Sequence, residues 1–203
     1  GCVKFQHVYA DEIIHPLTGM VPLPGGMTPL YQAFRTLERP ITFMAELKSH
    51  AEELNLAFLC TPFGERSLDE LLSIGVAAFK VASPELNFLQ LLDTIAATGL
   101  PVFLSTGVSR LSDIEEALEH LDGSPVALLH CVTSYPAPEE EYNLRLLPSL
   151  HTLFGLPVGV SDHSTDPLLV PLAALSQGAS CIEKHFTLDR RDGGLDDPVA
   201  LTP

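Results

Sequence analysis

Two short stretches near the end of the sequence each carry a histidine where an apolar run turns polar. They are Pro157-Val-Gly-Val-Ser-Asp-His163 and Cys181-Ile-Glu-Lys-His-Phe-Thr187. The residues between them, from Pro167 to about Gln177, have a helical pattern. The two stretches therefore read as neighbouring parallel strands of a βαβ unit. Side chains alternate faces along a strand, so Ser161 shares a face with His163, and Glu183 shares one with His185. Two imidazoles at the same strand end, with a hydroxyl and a carboxylate beside them, suit one divalent cation. An isolated histidine is more often surface or hydrogen-bonded core. His50 and His120 lie inside helical patterns and His151 near a helix end, so these three read as solvated.

The rest of the chain has to supply the frame for such a pair. A strand is expected at about Val3–Val8, then a long loop from Tyr9 to Thr28 containing Pro16, Pro22, Pro24 and the Gly25-Gly26 pair. Helices follow at about Pro29–Glu38 and Ile41–Leu54. Six further apolar runs read as strands: Ala57–Cys60, Ala77–Val81, Pro101–Leu104, Val126–Cys131, Pro157–Val160 and Cys181–Ile182. Amphipathic helices separate them. Ser67-Leu-Asp-Glu70 and Ser112-Asp-Ile-Glu115 read as capping boxes. Gly75, Gly99, Gly123, Gly155 and Gly178 stand where a left-handed residue closes a helix. Asp166-Pro167 opens one, with Pro171 delaying or kinking it. This beat fits an α/β fold of the TIM (β/α)8 barrel type, which typically takes about 250 residues. One βα unit is missing from the count, so a single partial barrel domain over residues 1–203 is expected. A doubly wound sheet is disfavoured, because no glycine-rich dinucleotide turn follows any strand.

Barrel active sites form at the C-terminal ends of the strands, and nearly every run here ends in polar residues. In order these are Lys4 and Gln6, Thr61, Lys80 with Ser83 and Glu85, Ser105-Thr-Gly107, His130 through Tyr135, Ser161 with His163, and Glu183 with His185. One lysine at a strand end merely snorkels to solvent, and one serine caps a helix. Two lysines and several hydroxyls on one rim are better explained by a pocket for a phosphate or carboxylate.

The bulk numbers narrow the field further. A net charge of −15 over 203 residues argues against nucleic acid or an anionic membrane as partner. No apolar run approaches the ~20 residues of a membrane-spanning helix. No signal peptide is read at the start, which lacks methionine, so an incomplete N-terminus is expected. Four cysteines (Cys2, Cys60, Cys131 and Cys181) lack CxxC spacing, and the three in expected strands read as reduced, buried thiols of a cytoplasmic protein.

The motifs, taken together and in order, resemble those of the N-acetylneuraminate (sialic acid) synthase family. They are Lys4-Phe-Gln6, Cys60-Thr-Pro-Phe63, Lys80-Val-Ala-Ser83-Pro-Glu85, Leu104-Ser-Thr-Gly107, Leu129-His-Cys131 with Tyr135-Pro136 and Asn143-Leu144, Gly159-Val-Ser-Asp-His163, and Gly178 through Asp189. The resemblance implies a TIM barrel that condenses phosphoenolpyruvate with an N-acetylated aminosugar aldehyde and releases phosphate. It implies a divalent ion, Mn²⁺ first and Mg²⁺ or Co²⁺ otherwise, with His163 and His185 as ligands. It also implies that Lys4, Thr61, Lys80, Ser83, Ser105 and Ser161 line the phosphoenolpyruvate pocket. Gln6, Tyr135, Glu183 and Asp196, the last in Gly193-Gly-Leu-Asp-Asp197, fall around sugar and metal. Glu85 matches the carboxylate of the hydration step.

The sequence also departs from the family pattern. It begins after the first-strand glutamate and ends before the C-terminal antifreeze-like domain, which in the family reaches the partner subunit of a homodimer. Thr133 stands where neuraminate enzymes have asparagine, and Gly26 falls near an asparagine that contacts sugar. Legionaminate and pseudaminate synthesis therefore fit as well as neuraminate synthesis. Two other readings compete. One is a Schiff-base aldolase using Lys80 or Lys184. The other is an inactive barrel fragment that only binds metal or anion.

Overall fold

A computed structural model describes residues 1–23, 26–192 and 194–203; Pro24, Gly25 and Gly193 lie outside the described residues. The strands are β1 Cys2–Gln6, β2 Met20–Leu23, β3 Gly26–Pro29, β4 Ala57–Thr61, β5 Phe79–Val81, β6 Val102–Ser105, β7 Val126–Cys131, β8 Val158–Asp162 and β9 Ile182–Lys184. The helices are α1 Ala10–Ile13, α2 Leu30–Leu37, α3 Ile41–Glu53, α4 Glu65–Ser73, α5 Leu89–Ala96, α6 Leu111–His120, α7 Leu146–Phe154 and α8 Leu169–Ser176. The fold is α/β. The chain divides into two compact units interleaved along the sequence.

The first unit comprises Gly1–Val81, Phe88–Val102 and His120–Pro125. Its strands β1, β4 and β5 lie in that order and run parallel. Apolar runs explain the pairing: Phe5 stacks on Phe58 with ring centroids 5.6 Å apart. Phe79, Leu68, Leu71, Leu91, Leu92 and Ile95 are fully buried. The second unit comprises Ala82–Asn87, Phe103–Glu119 and Val126–Pro203. There β6, β7, β8 and β9 follow one another in chain order. Leu104, Leu128, Val160 and Ala174 are fully buried, as is the ring of Tyr142. Three of these strands in the first unit and four in the second make seven, the number read from the apolar runs.

Several local expectations need correction. The stretch from Tyr9 to Thr28 is not all loop: α1 occupies its start, and β2 pairs antiparallel with β3 as a two-stranded ribbon. Pro22 and Pro29 disguised it, but a ribbon leaves one side of each strand unbonded and so tolerates proline. Strand β1 ends at Gln6 rather than Val8. The capping boxes are also displaced. Helix α4 starts at Glu65, and Ser67 accepts the Phe63 and Gly64 amides from its third position at 3.0 and 3.1 Å. The helix amides of Arg66 and Ser67 instead donate to Glu12 Oε1, at 2.8 and 3.2 Å. In α6 it is Asp113 that reaches back, accepting the Arg110 amide at 2.7 Å. The five helix-closing glycines all take positive φ, as expected. Asp166 caps α8 by accepting the Leu168 and Leu169 amides at 2.7 and 2.8 Å, so the helix starts late and Pro171 falls in its first turn. Cys60 and Cys131 are buried, whereas Cys181 is half-buried just ahead of β9 and Cys2 is exposed.

Candidate active site

In the first unit, register places polar residues side by side. Gln6 is paired with Thr61, and Cys60 with Phe79, so Lys80 stands next to Thr61. Paired residues of parallel strands share a face, which makes Gln6, Thr61 and Lys80 a row, with Lys4 two positions back on the same face. Thr61 is buried and its hydroxyl oxygen has no hydrogen-bond partner among the described residues. Lys80 is also buried, its ammonium donating to the Val81 carbonyl at 2.9 Å.

The second unit holds the other row. Cys131 pairs with Ser161 and Ser161 with Glu183, so all three face the same way. The Ser161 hydroxyl donates to Glu183 Oε2 at 2.6 Å. Gly159 permits this close passage of β9, since a Cβ there would lie 2.5 Å from Cys181 Sγ. His163 and His185, two positions on from Ser161 and Glu183, return to this face with ring centroids 5.3 Å apart.

The environment of His163 sets its proton. Nδ1 lies 2.9 Å from the Val132 carbonyl, which can only accept, so Nδ1 carries the hydrogen and Nε2 is the acceptor nitrogen. Tyr135 stacks on this ring at 4.1 Å, and its hydroxyl donates to Nε2 at 3.0 Å. Burial, with the charges of Asp196, Cys131 and Glu183, raises the Tyr135 phenol well above its ordinary range and keeps it a donor at neutral pH. Cys131 Sγ lies 3.8 Å from His163 Nδ1. Burial opposes ionisation of both, but their mutual attraction outweighs it, lowering the thiol and raising the imidazole. His185 Nδ1 is 3.5 Å from Asp196 Oδ2.

Ser83, Ser105 and Glu85 also belong to this unit. The Ser83 hydroxyl accepts the Gly107 amide at 3.0 Å. A Cβ at Gly107 would press on Thr133 Oγ1, on Ser83 Oγ at 2.9 Å and on Cys131 Sγ at 3.2 Å. Ser105 is buried, and Glu85 is half-buried in the 3₁₀ turn Ser83–Asn87. Thr133, noted only as a departure from the family, is thus in contact with Cys131, at 3.9 Å from its sulfur.

The residues present fit an open divalent site. Two imidazoles converge, one with its tautomer fixed by a backbone carbonyl, as metal-bound histidines usually have. Among the described residues no three His, Cys, Asp or Glu side chains are grouped to hold an ion, so other ligands would come from water or substrate. Lys184 suits no Schiff base. It faces away from the histidines, and its ammonium donates to Asp162 Oδ2 at 2.7 Å and the Ser164 carbonyl at 2.6 Å. Of the remaining histidines, His50 and His151 are exposed as expected, and His120 meets Asp93 at 2.7 Å. His7, which stands in no motif, is fully buried against Glu70 at 2.7 Å. No spacing signals it, because its partner lies 63 residues away.

The NeuB family model matches residues 1–203. The chain belongs to the NeuB family. It is 44% identical over 210 residues to the N,N'-diacetyllegionaminic acid synthase of Campylobacter jejuni, covering 99% of this chain and 63% of that protein. It is 37% identical over 204 residues to the protein MJ1065 of Methanocaldococcus jannaschii, covering 99% of this chain and 57% of that one. Among solved structures it matches the N-acetylneuraminic acid (sialic acid) synthetase of Leptospira borgpetersenii in complex with citrate. That match has 33% identity and a TM-score of 0.90, over 100% of this chain and 68% of the other. The NeuB-family fold is therefore present throughout residues 1–203, and the chain spans 57–63% of the length of the two relatives. Among the described residues no helix is long and apolar enough to cross a membrane.

Proposed function

We propose that this chain carries the active site of a sialic-acid-type synthase. The enzyme condenses phosphoenolpyruvate with an N-acetylated aminosugar aldehyde, N-acetylmannosamine or a 2,4-diacetamido sugar, to give a nonulosonate and phosphate. The seven parallel strands are then part of a (β/α)8 barrel, and the enzyme is a cytoplasmic homodimer. The observation that carries the reading is the convergence of His163 and His185 above the Cys131–Ser161–Glu183 row in a NeuB-family chain.

The roles follow from the chemistry of each group. Lys4 and Lys80 neutralise the phosphate and carboxylate of phosphoenolpyruvate, and Thr61, Ser83, Ser105 and Ser161 supply hydroxyls to the same groups. Gln6, Tyr135, Glu183 and Asp196 hold the sugar. C3 of phosphoenolpyruvate forms the new bond to the aldehyde carbon, whose oxygen takes up a proton, and C2 acquires cationic character. Glu85 orients water toward C2 and takes its proton. The tetrahedral centre then expels phosphate by C–O cleavage. A divalent cation held by His163 and His185, Mn²⁺ before Mg²⁺ or Co²⁺, would supply Lewis acidity at the aldehyde.

The test is phosphate release by the full-length polypeptide carrying this chain, with Mn²⁺, each aminosugar, and phosphoenolpyruvate labelled with ¹⁸O at the bridging position. Labelled phosphate is expected. Label retained in the organic product would overturn the cleavage step, and no phosphate with any of the sugars would overturn the reaction.

A further inference from the structure

The residues between and beside the two histidines form a second network on the opposite face. Asp162 pairs with Lys184 in register, one position away from the Ser161–Glu183 pair. The Asp162 carboxylate is fully buried and accepts three donors: Lys184 Nζ at 2.7 Å, the Tyr142 hydroxyl at 2.8 Å and the Ser164 amide at 2.8 Å. The Lys184 ammonium also donates to the Ser164 carbonyl at 2.6 Å and to the Ser164 hydroxyl at 3.2 Å. The Tyr142 oxygen in turn accepts the backbone amide of His163 at 2.7 Å. Tyr142 is itself buried, and its carbonyl accepts from His130 Nε2 at 2.6 Å.

Every strong donor and acceptor in this cluster is matched, and the matches bracket His163 on both sides. Its amide hangs from Tyr142, and the residues on either side of it are held by Lys184. Because Lys184 immediately precedes His185, one ammonium ties the backbone that carries the first imidazole to the backbone that carries the second. A buried ion pair is weak evidence for stability, because desolvation offsets much of the attraction, and fixing geometry is its better attested use. We propose that Asp162, Lys184 and Tyr142 are positioning residues that set the spacing and ring orientation of His163 and His185. Their role is to preorganise the two imidazoles for a divalent cation, and they touch neither substrate nor ion. The cation part rests on the proposed function, whereas the positioning of the rings does not.

The test uses Tyr142→Phe, which keeps the buried ring and removes only the oxygen, together with Lys184→Met and Lys184→Arg. Two measurements are made: the visible spectrum during Co²⁺ titration, and imidazole ¹H–¹⁵N spectra without metal. Outer-shell changes of this kind weaken metal binding by about 10–100-fold. Tyr142→Phe and Lys184→Met are expected to weaken Co²⁺ binding at least ~10-fold and to broaden the His163 Nδ1–H signal, with Lys184→Arg recovering most of both. Leu121→Ala, a core truncation outside the network, is expected to lower the melting temperature and leave both readouts unchanged. Unaltered affinity and an unaltered His163 signal in folded Tyr142→Phe would overturn the proposal. If the unsubstituted protein binds no Co²⁺, or His163→Ala binds it equally well, the cation reading fails. The positioning claim then stands or falls on the imidazole signal.

Discussion

Val108 is the one β-branched residue among the described residues with positive φ, at +52°, and it is 79% exposed just after the Ser105-Thr-Gly107 turn. A left-handed conformation costs a residue with a Cβ about 1–2 kcal/mol, and here no burial offsets it. Glycine removes that strain but gains roughly 0.5–1 kcal/mol of freedom in the unfolded chain. Val108→Gly is therefore expected to stabilise the protein by up to about 1 kcal/mol, read as a higher urea midpoint. A lower midpoint would show that the backbone there is held by something other than strain. The same turn holds Gly107, whose missing side chain leaves room for Ser83, Thr133 and Cys131. The rim residues were legible because side chains alternate along strands. The contact of Cys131 with His163 was not, since it depends on how β7 and β8 align.

At the scale of elements, the loop after β1 is tied to α4 by charge and hydrogen bonds. Glu70 accepts from His7 and from Tyr9, both at 2.7 Å, and from Arg66 at 3.2 Å. The Arg66 guanidinium also lies 3.6 Å from the centre of the Tyr9 ring. Burial alone would raise the Glu70 carboxyl, but the hydrogen bonds from Tyr9, His7 and Arg66 outweigh it and hold the group below the usual carboxylate range. A carboxylate lowered on folding contributes stability above its unfolded value of about 4.3. That contribution is lost as pH falls through the lower folded value. Glu70→Gln is expected to reduce the urea midpoint at neutral pH and to flatten its fall on the acid side. Parallel curves for the two proteins from about pH 7 to about pH 3 would sink this account. The local Ser67–Glu70 spacing predicts a capping box, whereas the residue that caps α4 is Glu12, 54 residues from the Arg66 amide it accepts.

At the scale of the molecule, a cation that binds only the folded state must raise its stability by mass action. At about 100 times its dissociation constant the gain is about 2.7 kcal/mol, or several degrees in melting temperature for a chain of this size. Mn²⁺ is expected to raise the melting temperature of the protein, chelator to reverse the rise, and His163→Ala or His185→Ala to abolish it. An equal rise in both variants would place the ion elsewhere. A net charge of −15 attracts cations nonspecifically as well, so the difference between proteins is the measurement.

The sequence by itself determined the α/β alternation, the number of parallel strands, the helix-closing glycines, and which residues at each strand end share a face. All of these follow from local periodicity and local backbone preference. Only the tertiary structure decided that Lys184 turns to Asp162, that Tyr142 holds the amide of His163, and that Glu12 caps a distant helix. Those contacts depend on register and on approaches between residues far apart in the chain. Hydrogen-bond reach is about 3 Å, a tolerance that no sequence spacing encodes.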